Sequence, residues 1–413
     1  MSELHRDVLI IGAGVAGASV AKELRHLGFE GSILLLGREL DAPYERPPGT
    51  KDYLAGKTSR DDATWLHPDW CEEHDVELRL RTSVMKVDTD AKVAKLQGGD
   101  EVSYEHVVFA TGANVRRLRL DGTDLEGLHY IRALRNADSI RAELEQVEQV
   151  VTIGGSYIGC EVAATLTGLG KKVTVLMQED HPMQNGMGET VGRYVRSVLE
   201  SKGITILGGQ EVDHLEGDDE RVERVVTKDG STIDAQLVVI GVGAVPDVMT
   251  AKGAGLELGE SGGIVVDAHL RASADGVWAA GDCAEFASEL YGKQLRIEHQ
   301  DVAIEHGRTV ARNIVGKDEP FSFVPYFWSD LSDWFSLQYL GNAAGGYDEE
   351  LIRGSLDDGA FSVWYLKDDV LVAALSIGRN EDLIDARRLI ATKASGDALK
   401  TALPDLSTDL AAL

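Results

Sequence analysis

The sequence predicts an α/β protein with two three-layer domains built on parallel sheets, followed by a smaller α+β domain. Three observations carry this reading. The run DVLIIGAGVAG (7–17) passes from an apolar, β-branched stretch through a glycine cluster into an alanine-rich one. QVVTIGGSYIG (149–159) repeats that pattern further along the chain. From residue 321 onward the pattern changes to strand-like runs, SLQYLG, FSVWYLK and VLVAALSIG, and then to the helix-like NEDLIDARRLIATKA. Strand, glycine turn and helix in that order form a βαβ unit whose turn cradles a dinucleotide phosphate, so the first two domains read as Rossmann-like.

In the first turn, Gly12 permits the tight exit from strand VLII. Gly14 bares the backbone to a pyrophosphate, and Gly17, after Ala16, lets the helix pack against the sheet. The helix pattern AGASVAKELRHLG runs to Gly28. Its N-terminus offers free N–H groups and a positive dipole end to the phosphates.

The second turn reads Gly154-Gly155-Ser156-Tyr157-Ile158-Gly159, with Ser156 at the middle-glycine position. Its side chain either crowds a pyrophosphate or donates a hydrogen bond to it. CEVAATLTGLG and strand KVTVLM complete the βαβ unit. Gln178, Glu179 and Asp180 follow, with no lysine or arginine until Arg193. An acid at this place accepts from a ribose 2′-hydroxyl and repels a 2′-phosphate. NADH is therefore expected over NADPH, with Glu179 as the discriminator. Two dinucleotide sites in one chain suggest hydride transfer from a nicotinamide to a flavin.

Composition narrows the partners. The formal net charge is −28, from 41 basic and 69 acidic residues. Nucleic acid and anionic membranes need basic patches, so neither is expected as a partner. No apolar run reaches the length of a membrane span, and no signal-peptide pattern is visible in MSELHRDVLII, so a cytoplasmic location and no membrane insertion are expected. The three cysteines, Cys71, Cys160 and Cys283, form no CxxC pair or metal-ligand cluster. No metal, dithiol site or protein-bound iron–sulfur cluster is expected.

Further segments carry a resemblance: YERPPGTK (44–51), VVFATGA (107–113), VVIGVGAVPD (238–247), GVWAAGDCAEF (276–286) and YFWSD (326–330). In this order and spacing they resemble the ferredoxin-reductase-like flavoproteins, which include the NADH-dependent reductases of oxygenase systems, monodehydroascorbate reductase and apoptosis-inducing factor. The resemblance implies a glutathione-reductase-like architecture with FAD and NAD(H) as cofactors. It also implies roles. Arg46 and Lys51 look like flavin contacts, although the usual LSK here reads GTK. Ala110, Thr111 and Gly112 resemble the turn between domains, Arg116 a flavin-contacting arginine, and Gly243 part of the returning segment. Gly281 and Asp282 resemble the turn whose acid, at a helix start, binds the ribityl or phosphate region. After the second strand of the first domain, LLLGREL puts Arg38 or Glu39 where the family has a ribose-binding acid; Glu39 is favoured. Glu161 resembles a glutamate near the nicotinamide, able to pair with Lys51. Glu298 and His299 are expected near the flavin ring, where a protonated His299 would stabilise reduced flavin. Trp328 resembles an aromatic beside the flavin and nicotinamide. Lys51, Glu161, His299 and Trp328 form the expected catalytic set.

The motif order gives the domain plan. Residues 1–112 and 241–320 are expected to form a discontinuous FAD domain. Residues 113–240 form the inserted NAD domain, and 321–413 the C-terminal domain, with a hairpin turn at Lys367-Asp368-Asp369. The leading function is an NADH oxidoreductase passing electrons through FAD to a small iron–sulfur carrier, ferredoxin or rubredoxin, as monomer or homodimer. RIEHQ (296–300) and NGMGETVGRYV (185–195) are closer to the apoptosis-inducing-factor branch. The alternative is thus a slow redox sensor whose oligomeric state changes with NADH. A thiol or disulfide reductase is disfavoured, because YERPPGTK stands where such enzymes carry cysteine.

Overall fold

The structure is a computed structural model that describes residues 4–218 and 220–413; residues 1–3, the start of the first expected domain, lie outside the described residues. The chain divides into two compact units. One holds the chain up to Glu45, Asp61–Asn114 and Ala244–Phe323; the other holds Arg46–Arg60, Val115–Gly243 and Val324–Leu413.

In the first unit, strand Ile33–Leu36 and the second half of strand Leu4–Ile11, from Val8 on, carry continuous apolar runs rather than an alternating pattern, because a sheet covered on both faces needs no polar side. The order is Val76–Arg79, Ile33–Leu36, Leu4–Ile11, Glu101–Phe109, Val93–Leu96, Val84–Asp88. Strand Glu101–Phe109 divides one of its edges. Its beginning pairs antiparallel with Val93–Lys95, while Val107–Phe109 pairs parallel with Val277–Ala279. A three-residue strand from late in the chain thus joins the early sheet. Helices Val15–His26 and Gln300–Ile314 pack closely. A Cβ on Gly307 would stand 2.4 Å from the Ala16 carbonyl oxygen, so only glycine allows the approach.

The second unit centres on a five-stranded parallel sheet, ordered Thr205–Leu207, Lys172–Leu176, Gln149–Ile153, Leu237–Ile240, Leu128–Tyr130. A three-stranded antiparallel sheet (Val212–Asp218, Arg221–Thr227, Thr232–Asp234) packs apolar side chains with it, Leu215 and Val225 joining Val151 and Val238 in one core. The same unit holds the C-terminal antiparallel sheet, ordered Tyr326–Leu331, Phe335–Gly341, Val370–Ile377, Ala360–Lys367, Glu349–Ser355, with helix Asp382–Ala391. Asp368 and Asp369 turn the hairpin with φ of 49° and 63°, the left-handed pair that a two-residue type I′ turn requires. Strand Glu349–Ser355 carried no alternating signal in the sequence; Arg353 within it is buried against Asp382. Among the described residues, no helix is long and apolar enough to cross a membrane.

Candidate active site

The two glycine cradles are built alike. Gly12 has φ 119°, and a Cβ there would stand 2.1 Å from the Ala110 carbonyl oxygen. Gly154 has φ 112°, and a Cβ there would stand 2.3 Å from the Gly241 carbonyl oxygen. Each turn is thereby wedged against the backbone just beyond the neighbouring parallel strand. Cβ atoms on Gly17 and Gly159 would stand 2.0 Å and 1.9 Å from the carbonyl oxygens of Gly12 and Gly154, so both helices start hard against their own turns.

A dinucleotide fits these cradles. Gly14, the N-cap of helix Val15–His26, has nothing within 4 Å of a Cβ position and no side chain capping it, so its helix end faces open space. In the second cradle the close approach is shifted. Gly155 is pressed on Met177, whose sulfur would lie 2.0 Å from a Cβ, whereas Ser156 is the exposed N-cap. The Ser156 hydroxyl does not cap helix Tyr157–Gly168, which leaves it available to a phosphate. Tyr157 sits edge-on to Phe327, ring centroids 4.9 Å apart, and Ile158 follows it in the first helical turn. Burial pushes the Tyr157 phenol up, so it stays a neutral group.

Glu161, 6% exposed, lies at the centre of a charged cluster. Lys51 Nζ stands 2.8 Å from its Oε1, Ser329 Oγ donates to the same oxygen at 2.6 Å, and Thr50 Oγ1 donates to Oε2 at 2.6 Å. The Pro47–Thr50 turn delivers Thr50 and Lys51, and Thr165 Oγ1 anchors it by donating to the Thr50 carbonyl at 2.8 Å. A buried carboxylate needs this many partners, since an unpaired charge in the interior costs several kcal/mol. Thr50 and Ser329 were not singled out in the sequence, although each adjoins a residue that was. Trp328 is not brought to this cluster. Alternation along Tyr326–Leu331 puts it on the face opposite Ser329 and Phe327, where it stacks with Tyr326 at 6.2 Å. Arg46 donates to the Arg132 carbonyl at 2.9 Å, and Arg116 is exposed, its backbone N–H bonded to the Gly243 carbonyl.

The remaining predicted residues lie in the first unit. Arg38 pairs with Asp247 at 2.5 Å and donates to Asn114, which commits it. Glu39 is half-buried and accepts from the Tyr44 hydroxyl at 2.6 Å. Thr111 Oγ1 donates to the Asp247 carbonyl at 2.5 Å, and Gly112 accepts from the Asp247 N–H. Asp282 does not start a long helix. It sits in the single 3-10 turn Gly281–Cys283, because strand Ala284–Ser288 follows at once. His299 is the N-cap of helix Gln300–Ile314, and burial pushes its imidazole down to about 4. It is therefore neutral at pH 7, whereas the stabilising role for reduced flavin requires its protonated form. Glu298 is exposed and paired with Arg296 at 2.5 Å. His306, absent from the sequence reading, is fully buried and accepts the Gly281 N–H on Nδ1 at 3.2 Å. Among the described residues no group of three or more side chains could hold a metal ion.

All three cysteines are free and buried. Burial pushes the Cys71 thiol up to about 11 and raises those of Cys160 and Cys283 as well. None is the exposed, acidified thiol that disulfide chemistry requires.

Two nucleotide cradles with a buried lysine–glutamate pair define a pyridine-nucleotide-dependent flavoprotein. Residues 6–307 match the pyridine nucleotide-disulphide oxidoreductase model and residues 326–413 the reductase C-terminal model, and the chain belongs to this family of oxidoreductases. It is 35% identical over 396 residues to the ferredoxin--NAD(P)(+) reductase fdr of Sphingomonas sp, covering 95% of each chain. Among solved structures it is similar to the ferredoxin reductase for the CYP199A2 system of Rhodopseudomonas palustris, with TM-score 0.94, 32% identity and coverage of 98% and 99%. It is also similar to the reductase in the covalent putidaredoxin reductase–putidaredoxin complex, with TM-score 0.92, 32% identity and coverage of 98% and 97%. The protein is an FAD-dependent NAD(P)H oxidoreductase of the ferredoxin-reductase type.

Proposed function

We propose that this chain oxidises NADH and delivers the electrons, through FAD, to a small iron–sulfur protein such as a ferredoxin or rubredoxin. One observation carries the choice of acceptor: the likeness extends over nearly the whole chain to reductases named for such carriers, one of them joined to its carrier in a solved complex. Bound FAD supplies the hydride acceptor and the means of releasing electrons singly.

The chain's own residues hold and tune. Gly12, Gly14, Ala16 and Gly17 cradle the FAD pyrophosphate, and Glu39 takes the ribose, since Arg38 is engaged by Asp247. Ala110, Thr111, Gly112, Gly243 and Gly281 shape the backbone along the cofactor, with Arg46, Arg116 and Asp282 as its polar contacts. Gly154, Gly155, Ser156, Tyr157 and Ile158 hold NADH, with Glu179 on the adenosine ribose. Glu161 fixes the Lys51 ammonium in place, and that fixed cation stabilises negative charge on a reduced flavin. Glu298 and His299 border the ring, His299 as a neutral imidazole, and Trp328 supplies an aromatic face. A reducing cytoplasm suits three unpaired buried thiols.

Stopped-flow reduction by NADH, followed by a panel of ferredoxin, rubredoxin, quinone and dioxygen, tests the proposal. Reoxidation by an iron–sulfur protein should outpace the other acceptors. If no iron–sulfur protein outpaces dioxygen, the assignment of the acceptor fails; slow reoxidation with a change of size on adding NADH would favour the redox sensor.

A further inference from the structure

Helix Gln184–Ser201 is interrupted by Gly188, whose φ of 87° and ψ of 168° are not helical. The interruption detaches one turn, Gln184–Met187, and that turn is tethered at both ends. At its start, Met183 adopts a left-handed conformation (φ 59°) and its N–H donates to the Gly155 carbonyl of the second cradle at 2.7 Å. At its end, the Tyr365 hydroxyl donates to the Met187 carbonyl at 2.7 Å. Its φ of 87° favours glycine, and a Cβ there would stand 2.2 Å from both Glu350 Oε1 and the Tyr347 hydroxyl. The turn presents Asn185, whose Nδ2 donates to Glu179 Oε1 at 2.5 Å.

The loop bearing Glu179 is held from the other side. The Gly209 N–H donates to the Glu179 carbonyl at 3.0 Å and the Gln210 N–H to the Met177 carbonyl at 2.9 Å. The nearby cation is spent: Arg196 donates to the carbonyls of Asp180 and Ile206 and pairs with Glu200. Three of its five N–H groups are thereby turned to protein acceptors.

We propose that Asn185 is a positioning residue for nucleotide selection: its amide holds one carboxylate oxygen of Glu179 and leaves the other aimed at the 2′-hydroxyl of the adenosine ribose. This rests on the reading of Glu179 as the ribose acid. The amide donor also orders the side chain whose negative charge repels a 2′-phosphate. Specificity then needs no extra contact with the nucleotide, only a carboxylate that cannot swing away.

The test uses FAD-loaded enzyme titrated with ADP-ribose and with 2′-phospho-ADP-ribose by calorimetry. Asn185 is exposed, so Asn185→Leu should fold normally. It is expected to narrow the preference for ADP-ribose about tenfold. Glu179→Gln should nearly abolish the preference. If Glu179→Gln collapses it while Asn185→Leu stays within about twofold of wild type, the inference about Asn185 is overturned and the reading of Glu179 stands. If Glu179→Gln leaves the preference unchanged, the reading of Glu179 fails and takes the inference with it.

Discussion

Replacing Lys51 by methionine keeps most of the side-chain volume and removes only the ammonium. The side chains of Lys51 and Glu161 are 16% and 8% exposed, so the variant leaves a carboxylate in the interior without its cation. Breaking a buried ion pair this way costs about 3–5 kcal/mol. Thr50 and Ser329 still donate to Glu161, each bond to a charged acceptor being worth about 1.5–3 kcal/mol, which keeps the cost near the lower end. About 3 kcal/mol is expected in urea unfolding of the FAD-loaded protein. Lys51→Met/Glu161→Gln, which removes the stranded charge, should recover about 2 kcal/mol of that loss. A variant within about 0.5 kcal/mol of wild type, or a double variant no more stable than the single one, would refute the reasoning.

Burial holds His306 down at about 3 and His299 down at about 4. Unfolded imidazoles titrate near 6.5, so stability is full above that pH. It should fall toward pH 4 by up to about 1.4 kcal/mol per pH unit for each histidine. His306→Gln, which retains an acceptor for the Gly281 N–H, should flatten its share of a pH–stability curve; an unaltered slope would count against it. Gly12→Ala places a Cβ 2.1 Å from the Ala110 carbonyl oxygen at a φ of 119°, and should cost about 3 kcal/mol and yield protein without the visible flavin absorbance. Asp382→Asn strips the carboxylate from Arg353, which also donates to the carbonyls of Leu403 and Thr408. A loss of about 3 kcal/mol and earlier proteolysis near residue 403 are expected.

Short-range signals were legible. The glycine turns, the strands leading into them and the hairpin at Asp368-Asp369 follow from backbone requirements that local sequence states directly. What stayed hidden depends on distant partners. Thr50 and Ser329 reach Glu161 across 111 and 168 residues, and no spacing rule links them. The choice between Arg38 and Glu39 turns on Asp247, 209 residues from Arg38. His299 looked like a potential cation because a sequence carries no measure of burial. The detached turn at Gly188 was invisible because its surroundings, Glu350 and Tyr347, come from a strand region more than 150 residues further along the chain. Trp328 lies on the strand face opposite Ser329, beside Tyr326, a placement its motif does not state.

The divided edge of strand Glu101–Phe109 bears on how the protein is made. On the ribosome, Val107–Phe109 emerges with its edge unpaired and waits until Val277–Ala279 is synthesised. At ordinary elongation rates of about 5–20 residues per second, that wait is on the order of 10–30 s. During it a strand of three fully buried residues is an open template for a stray β-strand. A truncated product ending before residue 277 carries that liability permanently, so expression of the N-terminal part alone should give aggregates where the full chain gives soluble enzyme.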